Sequence, residues 1–153
     1  MSYTLDANIL INLENRYPRD VFPTLWELIA QAASNNEVCI CRMVRDELTR
    51  GRGDLTSWLA GIADFVCDPT DAELKIVHDI ACAHQGWVRE TKNEADPHII
   101  AHAKTDGLIL VTEEKRKGRN VSDKNQSIPN VADEYGVRCI GFFEFLRIQK
   151  WSF

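Results

Sequence analysis

Residues 93–114 read NEADPHIIAHAKTDGLILVTEE, a helix-forming segment that leads straight into an uninterrupted apolar run. Pro97 suits the first turn of a helix and Gly107 suits a helix end, so a helix is predicted between them. The apolar run LILVT (108–112) predicts a strand that is buried on both faces. A helix followed by such a strand is typical of a parallel sheet, in which both faces are covered.

The rest of the chain repeats this alternation of strand-like and helix-like segments. Strands are predicted at residues 2–6, 37–41, 64–68, 108–112 and 137–142. Helices are predicted at residues 22–34, 42–51, 54–62, 71–86, 96–107, 128–136 and 143–149. We therefore expect one α/β domain over residues 1–153, with a central, mostly parallel sheet of four to five strands flanked by helices.

The composition is that of an ordinary globular protein, with 153 residues, 44% hydrophobic and 27% charged. No apolar run approaches the ~18 residues of a membrane span, and no signal peptide is expected. Five cysteines without a CxxC pair, most of them in apolar runs, predict reduced core thiols in a cytoplasmic protein. The net charge of −5 argues against a general nucleic-acid coat, but not against a nuclease whose acids bind metal ions.

The four histidines show no zinc-ligand spacing with the cysteines. His98 and His102 are four residues apart, but they are predicted to lie off the inner face of their helix. Surface positions are therefore expected for His78, His84, His98 and His102.

Two acidic residues occur within apolar segments of the sequence. Asp6 closes the first strand in YTLDANIL, where it is either a cap for the next helix or a site residue. Asn8 beside it is a second cap candidate or a supporting residue. Glu47 falls on the apolar arc of its predicted helix, which leaves a buried salt bridge or a metal as the explanations.

Two further positions complete the pattern. Asp96 opens its helix along the inner face, where it is a cap, a site residue or both. Glu113 and Glu114 follow the strand-end residue Thr112, and strand geometry points their side chains in opposite directions. In parallel sheets these positions meet beyond the carboxyl ends of the strands. Clustered carboxylates repel one another unless cations bind, and hard oxygen ligands suit Mg²⁺ or Mn²⁺.

Four segments carry a resemblance to a known family: YTLDANILI, VRDEL, NEADPHIIAHAK and LILVTEE. Their order and spacing resemble the PIN-domain family of metal-dependent ribonucleases, and most closely a PIN-like subgroup of unknown function. Family members of this size are often toxins of bacterial toxin–antitoxin pairs of the VapC type. The resemblance maps the family's acids to Asp6, Glu47, Asp96 and Glu114, with Glu113 as a rival. The family commonly has Asp at the fourth position, where this chain has Glu.

The resemblance implies hydrolysis of RNA to a 5′-phosphate and a 3′-hydroxyl, with Mg²⁺ or Mn²⁺ as cofactor. The first three acids would hold one ion, and Glu114 would help with a second. Thr112 would bond an acid or a phosphate oxygen. A basic loop would grip the RNA backbone through Lys115, Arg116, Lys117, Arg119 and Lys124. Besides RNA, the expected partners are a protein antitoxin and, as a possible assembly, a second copy of the chain.

Two other functions remain open from the sequence. A metal-dependent phosphatase would use Asp6 as an aspartyl nucleophile, but such enzymes usually carry a second Asp two residues on, where this chain has Asn8. The other alternative is a non-catalytic PIN-like binding module.

Overall fold

A computed structural model describes residues 2–89 and 92–153 of the chain. The strands are β1 (Tyr3–Leu5), β2 (Val38–Cys41), β3 (Val66–Cys67), β4 (Ile109–Val111) and β5 (Cys139–Ile140). The helices are α1 (Ala7–Arg16), α2 (Pro23–Ser34), α3 (Arg42–Thr49), α4 (Gly53–Ala60), α5 (Asp71–Ala83), α6 (Asp96–Asp106), α7 (Ile128–Glu134) and α8 (Phe142–Gln149). A 3-10 turn covers Asp123–Asn125.

The five strands form one sheet in the order β3-β2-β1-β4-β5, and each strand runs parallel to its neighbours. Thr4 of β1 lies opposite Cys39 of β2 on one side and Leu110 of β4 on the other. The predicted α/β fold with a parallel sheet and flanking helices is confirmed. Because each crossover helix returns antiparallel to the strands, helix N-termini lie at the carboxyl edge of the sheet.

The central strands are covered on both faces. β1 and β4 are buried at every position, which matches the uninterrupted apolar run predicted for β4. Leu5, Ile40 and Leu110 have no exposed surface. Burial of apolar surface contributes about 25 cal/mol per Å², so these buried strands stabilise the fold.

One predicted helix end is confirmed, at Gly107, and another, at Gly86, is wrong. α6 stops at Gly107 as predicted, and Gly107 adopts the left-handed conformation with φ of 65°. α5 ends at Ala83 rather than at Gly86, because the chain turns at His84. The helix α1 follows Asp6 directly, so the apolar residues after Asp6 belong to a helix that packs into the core.

The histidine prediction is wrong at two of four positions. His84 is 7% exposed and His102 is 1% exposed, so both belong to the interior. Each is buried with carboxylate partners, which offset the cost of burying a polar ring. His102 therefore lies in the interior, although it was predicted to lie off the inner face of its helix. All five cysteines are free thiols, as predicted, but they are not all in the core: Cys41 is buried, Cys82 is exposed, and the other three are partly buried.

In the described parts of the chain, no helix has the length and apolar character needed to cross a membrane.

Candidate active site at the carboxyl edge of the sheet

A cavity of about 250 Å³ opens at the carboxyl edge of the sheet. Asp6, Glu47, Asp96 and Glu114 all line it. Asp6 follows β1, Glu47 lies on the helix after β2, Asp96 opens α6, and Glu114 follows β4. The fold thus brings four acids from four separate segments to one cavity.

Asp6 occupies the N-cap position of α1, but its side chain makes no capping hydrogen bond. Its Oδ2 instead accepts a hydrogen bond of 2.7 Å from the hydroxyl of Thr112. The residue as a whole is 6% exposed. Its side chain is therefore fixed by the neighbouring strand and faces the cavity, so capping does not explain its position.

Thr112 and Asn8 form a hydrogen-bond network beside Asp6. Asn8 Nδ2 donates to Thr112 Oγ1 at 3.3 Å, and Asn8 Oδ1 accepts from the backbone N–H of Glu113 at 3.2 Å. Thr112 Oγ1 also accepts from the backbone N–H of Glu114 at 3.1 Å. The two residues therefore tie the end of β1 to the segment after β4, across more than 100 residues of sequence.

Glu47 does not face the core, and that prediction is wrong. It is exposed, and it lines the cavity together with Met43, one turn earlier on the same face of α3. Val44 and Leu48 are the buried residues of that helix. The apolar arc was correctly located, but its edge borders an open cavity rather than packed side chains, so Glu47 keeps contact with water.

Asp96 is the first residue of α6 and does not cap it. Ala95 holds the N-cap position, and no side chain caps this helix. The half-buried Asp96 lines the cavity, and its backbone N–H donates to the carbonyl of Asn93 at 3.2 Å. The positive end of the helix dipole still favours an anion there.

Glu113 and Glu114 point to different places. Glu114 lines the acidic cavity, whereas Glu113 lines a separate hollow beside Phe142 and Phe143. Glu114 Oε2 also accepts from the backbone N–H of Ile128, at the start of α7, at 2.7 Å. Glu114 is thus both a cavity residue and a support for α7.

The electrostatics of the cavity favour a bound cation. The pKa of Asp6 is raised to about 7, chiefly by burial, with the charges of Glu114 and Glu47 acting in the same direction and the hydrogen bond from Thr112 opposing them. Burial raises the pKa of Asp96 to about 8, with repulsion from Asp6, Glu114 and Glu47 acting in the same direction. These two carboxyls therefore ionise fully at neutral pH only if positive charge enters the cavity.

The donor set fits a hydrated hard cation. Within the described residues, no three of these four carboxylates place oxygens within 4.8 Å of one another. Mg²⁺ usually keeps several water ligands and binds through few carboxylates together with substrate phosphates, and this spacing leaves room for both.

A basic hollow adjoins the acidic cavity. Lys92, Lys115, Lys117 and Lys124 line it, and it shares Asn93 and Glu114 with the acidic cavity. The predicted basic loop thus places three of its lysines next to the acids.

The two arginines of that loop lie elsewhere. Arg116 donates two hydrogen bonds to Asp133, at 2.7 and 2.8 Å, so its guanidinium is already engaged. Arg119 is exposed.

Sequence reasoning missed four residues around these cavities. Arg50, Asn93 and Glu94 line the acidic cavity, and Lys92 lines the basic hollow. Asn93 has a positive φ of 57° and donates to the carbonyl of Trp87, so it shapes the turn before α6. The Asn preference for that conformation was the one available signal.

A family model described as a domain of unknown function, DUF4411, matches residues 3–153. The chain belongs to the DUF4411 family. No curated protein sequence matches this DUF4411 chain. Among solved structures, it is similar to the crystal structure of VapBC2 from Rickettsia felis bound to a DNA fragment from their promoter. The identity is 18% and the TM-score 0.56, covering 93% of this chain and 99% of that chain. At this identity the likeness shows a shared fold.

Proposed function

We propose that this DUF4411 chain is a PIN-like, divalent-metal-dependent endoribonuclease and the toxin of a bacterial toxin–antitoxin pair. The observation that carries the proposal is the meeting of Asp6, Glu47, Asp96 and Glu114 at one cavity beside a lysine-lined hollow. The shared fold with VapBC2, whose structure contains a promoter DNA fragment, supports the toxin–antitoxin part and a protein antitoxin as partner. A cytoplasmic location belongs to the same proposal.

The four acids would hold Mg²⁺ or Mn²⁺. When bound, such an ion stabilises negative charge on a phosphate and lowers the pKa of a bound water. Thr112 and Asn8 keep Asp6 oriented toward the cavity. Without cations, the negative charge of the acids would repel an anionic phosphodiester from the cavity.

The lysines would bind the RNA backbone. Lys115, Lys117 and Lys124 present positive charge next to Glu114, so a strand bound there passes directly into the acidic cavity. Their exposure to water makes this attraction dependent on salt, as phosphate contacts usually are. No base-reading site is needed for cleavage itself.

The test is cleavage of a structured RNA by the purified chain with Mn²⁺. We expect cleavage by the wild type and a loss of about 100-fold or more in Asp6→Asn and Asp96→Asn, the scale typical of removing one electrostatic stabiliser. Asp46→Asn is the matched control, because Asp46 adjoins Glu47 but is bonded to Arg45.

A small phosphoester assayed in parallel separates the alternatives. Hydrolysis of that ester without RNA cleavage would indicate a phosphatase with Asp6 as nucleophile. Inactivity toward both substrates with intact fold would indicate a binding module. Cleavage by Asp96→Asn at the wild-type rate would refute the assignment of the acids.

A further inference from the structure

Two thiols and an imidazole meet between the sheet and α6. Cys39 of β2, Cys67 of β3 and His102 of α6 place their ligand atoms within 4.8 Å of one another. Cys39 Sγ lies 3.2 Å from His102 Nε2. Tetrahedral zinc with Zn–S of about 2.3 Å and Zn–N of about 2.0 Å requires ligand atoms roughly 3.4–3.8 Å apart, so small shifts suffice.

The opposite edge of the imidazole faces carboxylates. His102 Nδ1 lies 3.1 Å from Glu73 Oε1 and 3.6 Å from Asp106 Oδ2. Glu73 is 3% exposed, which makes it a buried acid on α5 with His102 as its partner. A proton on Nδ1 directed at Glu73 leaves the Nε2 lone pair directed at the two sulfurs. This carboxylate–histidine arrangement is the usual support for a zinc-bound histidine.

Thr4 adds an independent observation. Its side chain is fully buried, and its Oγ1 is one of two buried side-chain atoms in the described residues without a hydrogen-bond partner. Thr4 stands directly opposite Cys39 in the sheet. A thiolate accepts hydrogen bonds much more strongly than a neutral thiol, so coordination of a metal ion by Cys39 would offer this hydroxyl a better acceptor.

The chemistry of this donor set differs from that of the acidic cavity. Two soft thiolates and one imidazole select zinc, while carboxylates select Mg²⁺ or Mn²⁺. His102 is 1% exposed, so its ring is shielded from a substrate, and a Cys–His nucleophile is disfavoured.

We propose that Cys39, Cys67 and His102 bind one Zn²⁺ ion, with Glu73 orienting His102 and a water or exchangeable group completing the coordination. The ion would join β2, the two-residue edge strand β3 and α6. β2 leads into the helix of Glu47, and α6 begins at Asp96, so the zinc would stabilise the scaffold of the acidic cavity. This site stands independently of the proposed nuclease activity.

The first experiment measures zinc in the purified full-length chain after dialysis against Mg²⁺. We expect about one zinc per chain in the wild type and in Asp96→Asn, and near-complete loss in Cys39→Ser and Cys67→Ser. Cys82→Ser is the matched control, because Cys82 is an exposed thiol outside the cluster. Equal zinc in Cys39→Ser and Cys82→Ser would overturn the site, as would loss of zinc in Asp96→Asn alone.

A second measurement needs no variant that might fail to fold. Cobalt added to the metal-free wild type under reducing conditions should give the visible and near-ultraviolet bands of tetrahedral thiolate coordination. Zinc should abolish those bands at about one equivalent. A protein with five free thiols and no such bands would refute the proposal, and so would a stable Cys39–Cys67 disulfide after purification without reductant.

The role of Glu73 in orienting His102 is tested by measuring the affinity of the chain for zinc. Glu73→Gln should weaken zinc binding about 10- to 100-fold, the usual effect of removing the carboxylate behind a zinc-bound histidine. Asp71→Asn, an exposed acid at the start of the same helix, should leave the affinity unchanged. Glu73→Gln with wild-type affinity would exclude Glu73 as the positioning residue.

Discussion

Glu114 shows how one side chain serves both structure and site. One carboxylate oxygen accepts from the backbone of Ile128 at 2.7 Å, while the residue lines the acidic cavity and raises the pKa values of Asp6 and Asp96. Glu is longer than Asp, the residue common at this position in the resembling family. The extra length lets the side chain reach α7 while remaining at the cavity.

The tandem glutamates give a prediction at this scale. Glu114→Gln should lower RNA cleavage about 100-fold while preserving the fold, because the Gln oxygen still accepts from Ile128. Glu113→Gln is the matched control and should change activity little, since Glu113 lines a different hollow. Both variants are compared by cleavage rate and by melting temperature. A larger loss of activity from Glu113→Gln would assign the fourth acid to Glu113.

At the scale of elements, His84 connects three segments. It follows α5, and its Nδ1 lies 2.6 Å from Asp123 Oδ1 in the basic loop. Its Nε2 lies 2.7 Å from Glu134 Oε2 at the end of α7. Burial alone lowers the pKa of His84, but the hydrogen bonds to Glu134 and Asp123 outweigh it and hold that pKa above the ordinary 6.5. When it is protonated, the His84 ring therefore holds the loop that carries the lysines through both carboxylates.

Removing this link should loosen the loop without unfolding the protein. We expect His84→Gln to increase hydrogen exchange about tenfold over residues 120–126, because hydrogen bonds to charged groups contribute about 1.5–3 kcal/mol. His78→Gln, an exposed histidine of α5, is the control. The bridge stabilises while His84 is protonated, so wild-type protection should fall as the pH rises through its pKa. Unchanged exchange in His84→Gln would show that the loop is held by other contacts.

At the scale of the whole molecule, the acids of the cavity make the stability of the fold depend on pH. Asp6 and Asp96 have pKa values of about 7 and about 8 in the fold, against an ordinary value of 3.8. The folded state thus holds protons that the unfolded chain has already released. The stability that these bound protons give the folded protein is fully present below pH 3.8 and is lost as the pH rises through 7 and 8.

The expected result is a melting temperature that falls between pH 5 and pH 9 in a chelator. Each kcal/mol of lost stability lowers it by about 2–4 °C in a chain of this size. The raised pKa values of His84 and His102 also make the melting temperature fall as the pH rises. Asp96→Asn should make this fall less steep, which distinguishes the effect of the acids from that of the histidines. Millimolar Mn²⁺ should raise the melting temperature at pH 8 in the wild type by mass action.

Two results would contradict this account. A slope in Asp96→Asn as steep as in the wild type would show that the acids do not govern it. An equal Mn²⁺ effect in the wild type and in Glu47→Gln would remove Glu47 from the ligands.

Local sequence patterns determined much of this protein. The apolar run at 108–112 predicted β4, and Pro97 and Gly107 bounded α6, because periodicity and backbone preference act over a few residues. The positions of Asp6, Asp96 and Glu114, after strands or at a helix start, predicted that these acids meet at one cavity, since parallel strands end at a common edge. These elements and site residues can be predicted from neighbouring residues and from the order of the strands.

Tertiary structure alone decided which side chains meet. Glu47 borders a cavity instead of the core, and His102 is buried against thiols that lie 63 and 35 positions away in sequence. Sheet register and the rotation of α6 set those contacts, and neither is encoded in spacing along the chain. The same holds for the raised pKa values of Asp6 and Asp96, which arise from burial and from charges brought together across the fold.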